Sequence, residues 1–111
     1  MIQNGDNKQD KDFIIYIDAE LKTMTSDFLK NRHKDIKAIQ EALDKDDYQT
    51  IQTLGHRMKG SGGVYGFNII TQIGGSLEEA AKNGSSEEVS GFVSELAAYL
   101  EQVKIIYNGD C

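Results

Sequence analysis

The sequence predicts an all-α fold: an antiparallel, up-down-up-down four-helix bundle with a short N-terminal helix or extended segment laid across it. Three observations carry this reading. None of the 111 residues is proline, so nothing forces a break in a long helix. Four segments carry apolar residues at spacings of three and four, the mark of a helix with one buried face. The connections between them are short and rich in capping residues, and short connections make successive helices antiparallel neighbours.

The elements follow in order. Residues 1–12 are rich in Asn, Gln, Asp and Lys and are expected to form a disordered tail ahead of one domain over residues 13–111. Residues 13–17 form an apolar run. It has no evident strand to pair with and is read as the short helix or extended segment. Asp18 is placed to cap the first helix, whose stripe is Leu21, Met24, Phe28, Arg32, Ile36, Ile39 and Leu43. Arg32 interrupts that stripe beside Asn31 and makes a bend admissible there. Asp44 to Asp47 closes the helix and caps the second, expected over 48–65. Gly66-Phe67-Asn68 reads as a turn, with Asn68 capping a third helix that faces the core with Ile69, Ile70, Ile73, Leu77, Ala80 and Ala81. Gly84 terminates it. Ser85-x-x-Glu88 is a capping-box pattern for a fourth helix, expected over about 87–107. Its stripe is Val89, Phe92, Val93, Leu96, Leu100, Val103 and Ile106.

Composition bounds the function. An apolar content of 39% suits one modest core, and a net charge of −6 argues against a nucleic-acid partner, since cationic contacts to phosphate dominate that affinity. The sole cysteine is Cys111, expected to be an exposed thiol, so an internal disulfide and a cysteine zinc site are both excluded. No apolar stretch is long enough to span a membrane or form a signal core. The expectation is a cytoplasmic monomer without metal or cofactor.

The stretch from Leu54 to Phe67 organises the chain. It keeps a helical apolar rhythm yet holds four glycines at positions 60, 62, 63 and 66. Each glycine inside a helix costs about 1 kcal/mol relative to alanine, so these must permit something, most simply a close approach to backbone. His56, Lys59, Gly60 and Gly63 share one helical face. An imidazole, with an unperturbed pKa of about 6.5, is a competent nucleophile at neutral pH. Phosphoryl transfer asks a protein for positioning and charge stabilisation above all. His56 would attack through Nε2, Lys59 would set its ammonium beside the phosphoryl oxygens, and Gly60 and Gly63 would leave the face bare for a partner. Gly62 and Gly66 lie off that face and are assigned to close helix packing. His33 lacks this context and reads as a surface residue. The segment fails the dinucleotide pattern, and a Walker lysine pattern is absent. Thr53 and Lys30 stand three residues before the histidines, where a bundle metal site would need glutamate.

As it stands, His56-x-x-Lys59-Gly60-Ser61-Gly62-Gly63-x-x-Gly66-Phe67 resembles the signature of histidine-containing phosphotransfer (HPt) domains. The Gly-Phe ending is also similar to the phosphoacceptor domain of bacterial chemotaxis kinases. The resemblance covers roughly residues 18–107. It implies a phosphorelay carrier that accepts a phosphoryl group on His56 from a receiver-domain aspartate or a sensor histidine kinase and passes it to a response-regulator receiver. Mg²⁺ would come from the receiver, and no ATP site or kinase activity would belong to this chain. The resemblance also implies a residue on the adjacent helix that bonds Nδ1 and holds the ring in one tautomer. By position this is Glu78, with Glu79 the alternative. Lys82, four residues after Glu78, would add a second positive charge near the site or simply pair with Glu78. Two other readings remain: a non-catalytic helical adaptor, and a phosphohistidine intermediate of an enzymatic sugar-phosphotransfer carrier.

Overall fold

Turn chemistry divides the chain between its helices where the sequence predicts, and the two ends depart from expectation. The computed structural model describes residues 13–109; the expected disordered tail and Cys111 lie outside the described residues. Strand β1 (Ile14–Asp18) leads through a 3₁₀ turn (Ala19–Leu21) into α1 (Lys22–Asp44). Next come α2 (Tyr48–Gly62), a second 3₁₀ turn (Gly63–Tyr65), α3 (Asn68–Lys82), α4 (Ser86–Gln102) and strand β2 (Lys104–Asn108). The α2–α3 contact is the most extensive, and α3–α4, α1–α2 and α1–α4 close the group of four helices. Ile39, Ile51, Met58, Phe67, Ile70, Leu77, Val89 and Leu96 are fully buried between them.

Helices α1, α2 and α3 all end in the same way. The amide of Asp47 donates to the Ala42 carbonyl at 2.8 Å and that of Asp46 to Leu43 at 3.1 Å; Phe67→Gly62 with Gly66→Gly63, and Ser85→Ala80 with Gly84→Ala81, repeat the pattern. These paired bonds are Schellman motifs, which require a left-handed residue at the turn. Gly66 (φ 84°) supplies it without steric cost, whereas Asp46 (φ 55°) does so with a side chain. Such an ending satisfies carbonyls that would otherwise be orphaned, and it tucks Phe67 into the core. Helix α4 starts from Ser85, whose Oγ accepts from the Glu88 amide at 3.2 Å. Only that half of the capping box forms, because the Ser85 amide already serves Ala80.

Several expectations need correction. The fourth helix stops at Gln102 and does not reach Tyr107. Val103 turns extended (ψ 135°), and the β-branched run after it pairs in parallel with β1, Ile14 opposite Lys104 through Asp18 opposite Asn108. The N-terminal segment is therefore a strand with a partner. Side chains in β2 alternate, with Ile105 and Tyr107 half-buried and Ile106 43% exposed, so Ile106 leaves the helical stripe. In α1 the buried residues are Thr25, Phe28, Ile39 and Ala42, while Leu21 and Met24 are exposed. The helix is continuous through Arg32, whose side chain finds polar partners described below. Asn68 is the first residue of α3, preceded at the cap position by Phe67, which offers no side-chain bond. Asp18 does cap, but its carboxylate serves the 3₁₀ turn through the Glu20 amide at 2.9 Å.

Asp47 gives the first expected result. Its carboxylate accepts from the Thr50 amide at 3.2 Å and the Thr50 hydroxyl at 2.6 Å, and these bonds hold its pKa below the ordinary value. A depressed carboxylate contributes stability above its unfolded pKa and loses it as pH falls through the folded one. Asp47→Ala should therefore melt below wild type at pH 7. The two melting curves should converge below the ordinary carboxylate range; a gap unchanged at pH 2 would refute the cap.

Candidate functional site

Helices α2 and α3 touch backbone to backbone, and two glycines make this possible. A Cβ on Gly55 would lie 2.7 Å from the Glu78 amide nitrogen and 2.8 Å from the Gly74 carbonyl oxygen. A Cβ on Gly74 would lie 2.5 Å from the Lys59 amide nitrogen. Real side chains do not survive such distances against backbone, so only glycine permits this approach.

That approach assembles the site. Glu78 sits on α3, 15% exposed, with Oε2 3.1 Å from Nδ1 of His56, whose ring is 70% exposed. A carboxylate only accepts hydrogen bonds, so Nδ1 donates and the lone pair falls on Nε2. The other carboxylate oxygen lies 3.8 Å from the Lys59 ammonium. One carboxylate thus touches both candidate side chains of the opposite helix. Glu78, and not Glu79, makes this contact; Glu79 is exposed. Lys82 is exposed on the last turn of α3, and the lysine that pairs with Glu78 is Lys59.

The glycines of the motif divide into three kinds. An added Cβ at Gly60 would meet nothing within 4 Å, and at Gly63 only Thr71 Oγ1 at 3.8 Å, so both belong to the open surface. Gly62 is buried, and a Cβ there would strike the Thr71 amide nitrogen at 2.8 Å, in keeping with helix packing. Gly66 is different from its expected packing role. Its nearest neighbour would be Ile15 at 4.0 Å, and its left-handed backbone is what requires glycine.

Along the other flank of α2, Arg32 donates to Ser61 Oγ at 3.1 Å and lies over the Phe28 ring at 4.6 Å. Its Nε is 2.9 Å from Asp35 Oδ2, close as an ion pair although the N–H is not aligned as a hydrogen bond. Burial pushes the Asp35 carboxyl above its usual value, against the pull of Arg32 and Arg57. Met24, Phe28, Arg32, Arg57, Ser61 and Tyr65 face a shallow groove here. Val64, two turns beyond His56, is 75% exposed, and Met24 55%. His33 is exposed on α1. Among the described residues no group of three metal-ligating side chains occurs, and no helix is long and apolar enough to cross a membrane.

The sequence reading missed Gly55 and Gly74, which let α3 lie against the histidine helix, and Gly75, which meets only the Lys59 side chain. The signal was available: two adjacent glycines inside the strongest apolar stripe carry the same helix cost that drew attention to residues 60–66.

With this geometry in view, comparison with known proteins is informative. The Hpt domain family model matches residues 23–105, well over half of the chain. Neither the curated proteins nor the solved structures yielded a match. The chain belongs to the Hpt domain family, whose members carry phosphoryl groups on histidine in phosphorelay signalling, working with receiver domains and histidine kinases rather than as catalysts with an ATP site.

Proposed function

We propose that His56 is the phosphoacceptor of a monomeric, cytoplasmic phosphorelay carrier, loaded from a receiver-domain aspartate or a sensor kinase and discharged to a second receiver. The observation that carries this is the exposed ring of His56 bonded through Nδ1 to the half-shielded Glu78, one helical turn from Lys59. In the loading step the Nε2 lone pair attacks phosphorus and a P–N bond forms. The P–O bond to the receiver aspartate breaks, and its carboxylate leaves with the electron pair. The Nδ1 proton stays in place, and the positive charge gained by the ring faces the Glu78 carboxylate. Lys59 offsets charge on the phosphoryl oxygens. Mg²⁺ is supplied by the receiver's own acidic pocket. Discharge runs the same steps in reverse.

Gly60 and Gly63 leave the approach to His56 open, and the exposed Val64 and Met24 offer apolar surface nearby. Lys82 adds positive charge to the α3 side of this docking face. The domain spans residues 13–111 in this reading, with its helices in up-down-up-down order. Contacts that couple Gly55 to Glu78 but Gly62 to Thr71 support an antiparallel α2–α3 pair.

Incubation with phosphorylated receiver domains and Mg²⁺ should label the protein, whereas phosphoenolpyruvate-dependent donors should not. Label from the second source alone would favour an enzymatic sugar-phosphotransfer intermediate. Receiver binding without label from any donor would leave the adaptor reading in its place.

A further inference from the structure

Lys59 makes two contacts with the adjacent glycines of α3, and they differ in kind. Its backbone amide lies against Gly74, where a Cβ would come within 2.5 Å. Its side-chain stem lies across Gly75, where a Cβ would stand 3.6 Å from Lys59 Cδ and 4.0 Å from Cγ, with no other described atom outside its own stretch of helix within 4 Å. From that seat the ammonium reaches Glu78 Oε1 at 3.8 Å, one turn further along α3. We infer that Gly75 is a positioning residue for Lys59: its bare backbone is the bed that holds the lysine arm on Glu78, beside His56, before a phosphoryl group arrives. The functional half of this inference rests on His56 being the phosphoacceptor.

The physical case is one of reach and entropy. A lysine side chain has four rotatable bonds, and ordering it in water costs about as much as an exposed ion pair returns. With 56% of the side chain exposed, the charge pair alone would hold the ammonium weakly. A stem lying against a flat backbone surface takes its methylene groups out of water while the charged head stays solvated, and it has fewer directions open to it. The ammonium is then held at the same carboxylate that bonds Nδ1 of His56, so in this reading it is already at the site when a phosphoryl group arrives. Any side chain larger than a methyl at position 75 would occupy the volume of the stem and send the arm toward solvent.

Size at position 75 should therefore decide the outcome. Gly75→Ala places a methyl at ordinary contact distance and should keep both arm and transfer, with a melting temperature at or above wild type. Gly75→Leu should remain folded, because its only neighbour is a flexible side chain, but should displace the arm. The first readout needs no phosphorylation: in wild type and in Gly75→Ala, Glu78→Gln should shift the ¹³Cε and ¹Hε resonances of Lys59, while in a Gly75→Leu background it should not. Equal shifts in all three would overturn the assignment. The second readout is receiver-to-His56 transfer. Lys59→Ala should slow it on the order of 10- to 1000-fold, the upper end coming from better-enclosed sites. Gly75→Leu should slow it comparably and add nothing in the Lys59→Ala background. A further slowing there would mean that the leucine obstructs the partner directly, which overturns the functional half. If wild type takes no label at all, the phosphorelay reading fails, and the resonance test still decides whether Gly75 seats the lysine.

Discussion

His56→Gln should abolish acid-labile, base-stable phosphorylation and leave the fold at wild-type stability. The ring is 70% exposed and its one polar contact among the described residues is the bond to Glu78, so little packing is lost with it. Glutamine keeps a donor of similar reach for Glu78 but has no nucleophilic nitrogen, which isolates the chemistry from the structure. His33→Gln serves as the control. It is exposed on α1 and, among the described residues, pairs with no carboxylate as His56 does with Glu78, so its removal should leave labelling unchanged. Autoradiography after incubation with phosphorylated receivers, with circular dichroism melts of both variants, makes the comparison. Label that survives on His56→Gln would overturn the assignment, and so would a collapse of label in His33→Gln.

What the sequence disclosed, and what it hid, follows from the range over which each signal acts. Caps and left-handed turns are local, so the boundaries at Asp47, Gly84 and Ser85 were legible within a few residues. The motif on α2 was legible because helical geometry alone places His56, Lys59 and Gly60 on one face. The strand pair was not, because β1 meets β2 across some 90 positions of sequence and neither strand is stable alone. Val103 and Ile106 also satisfy a helical spacing, which concealed the change of period from 3.6 to 2. One clue stood at both ends: Ile14-Ile15-Tyr16 and Ile105-Ile106-Tyr107 are the same β-prone tripeptide. The choice between Glu78 and Glu79 was open for a different reason. The two side chains lie about 100° apart around α3, and the rotation of that helix is set by the Gly55–Gly74 contact, a tertiary fact. Leu21 and Met24 misled because an apolar stripe fixes a face only where another element covers it, and at the start of α1 the covered face is that of Thr25, which leaves Leu21 and Met24 exposed.

Gly74 should be the least tolerant of the described glycines. Its missing Cβ would face Lys59 N at 2.5 Å, Gly55 O at 2.8 Å and Met58 C at 2.9 Å, all of them backbone. None can rotate aside, so any side chain must separate α2 from α3, the most extensive helix contact in the bundle. Alanine gains about 1 kcal/mol in helix propensity over glycine, and overpacking typically costs about 1–3 kcal/mol, more where relaxation is blocked. Gly74→Ala should therefore melt several degrees below wild type. Gly74→Val adds two further methyl groups and β-branching at the same point, and its cost should approach the roughly 5–15 kcal/mol that holds a domain of this size together. It should lose its cooperative melt. Gly63→Ala is the matched control: it makes the same chemical change on the neighbouring helix segment, where the nearest atom would be 3.8 Å away, and it should melt at or above wild type. Thermal unfolding of the three variants by circular dichroism reads the result. A wild-type melt for Gly74→Val would mean that α2 and α3 do not need this approach. The same approach sets the 3.1 Å bond between His56 and Glu78, so a folded Gly74→Ala should also show a weakened ring tautomer preference in its ¹⁵N imidazole shifts.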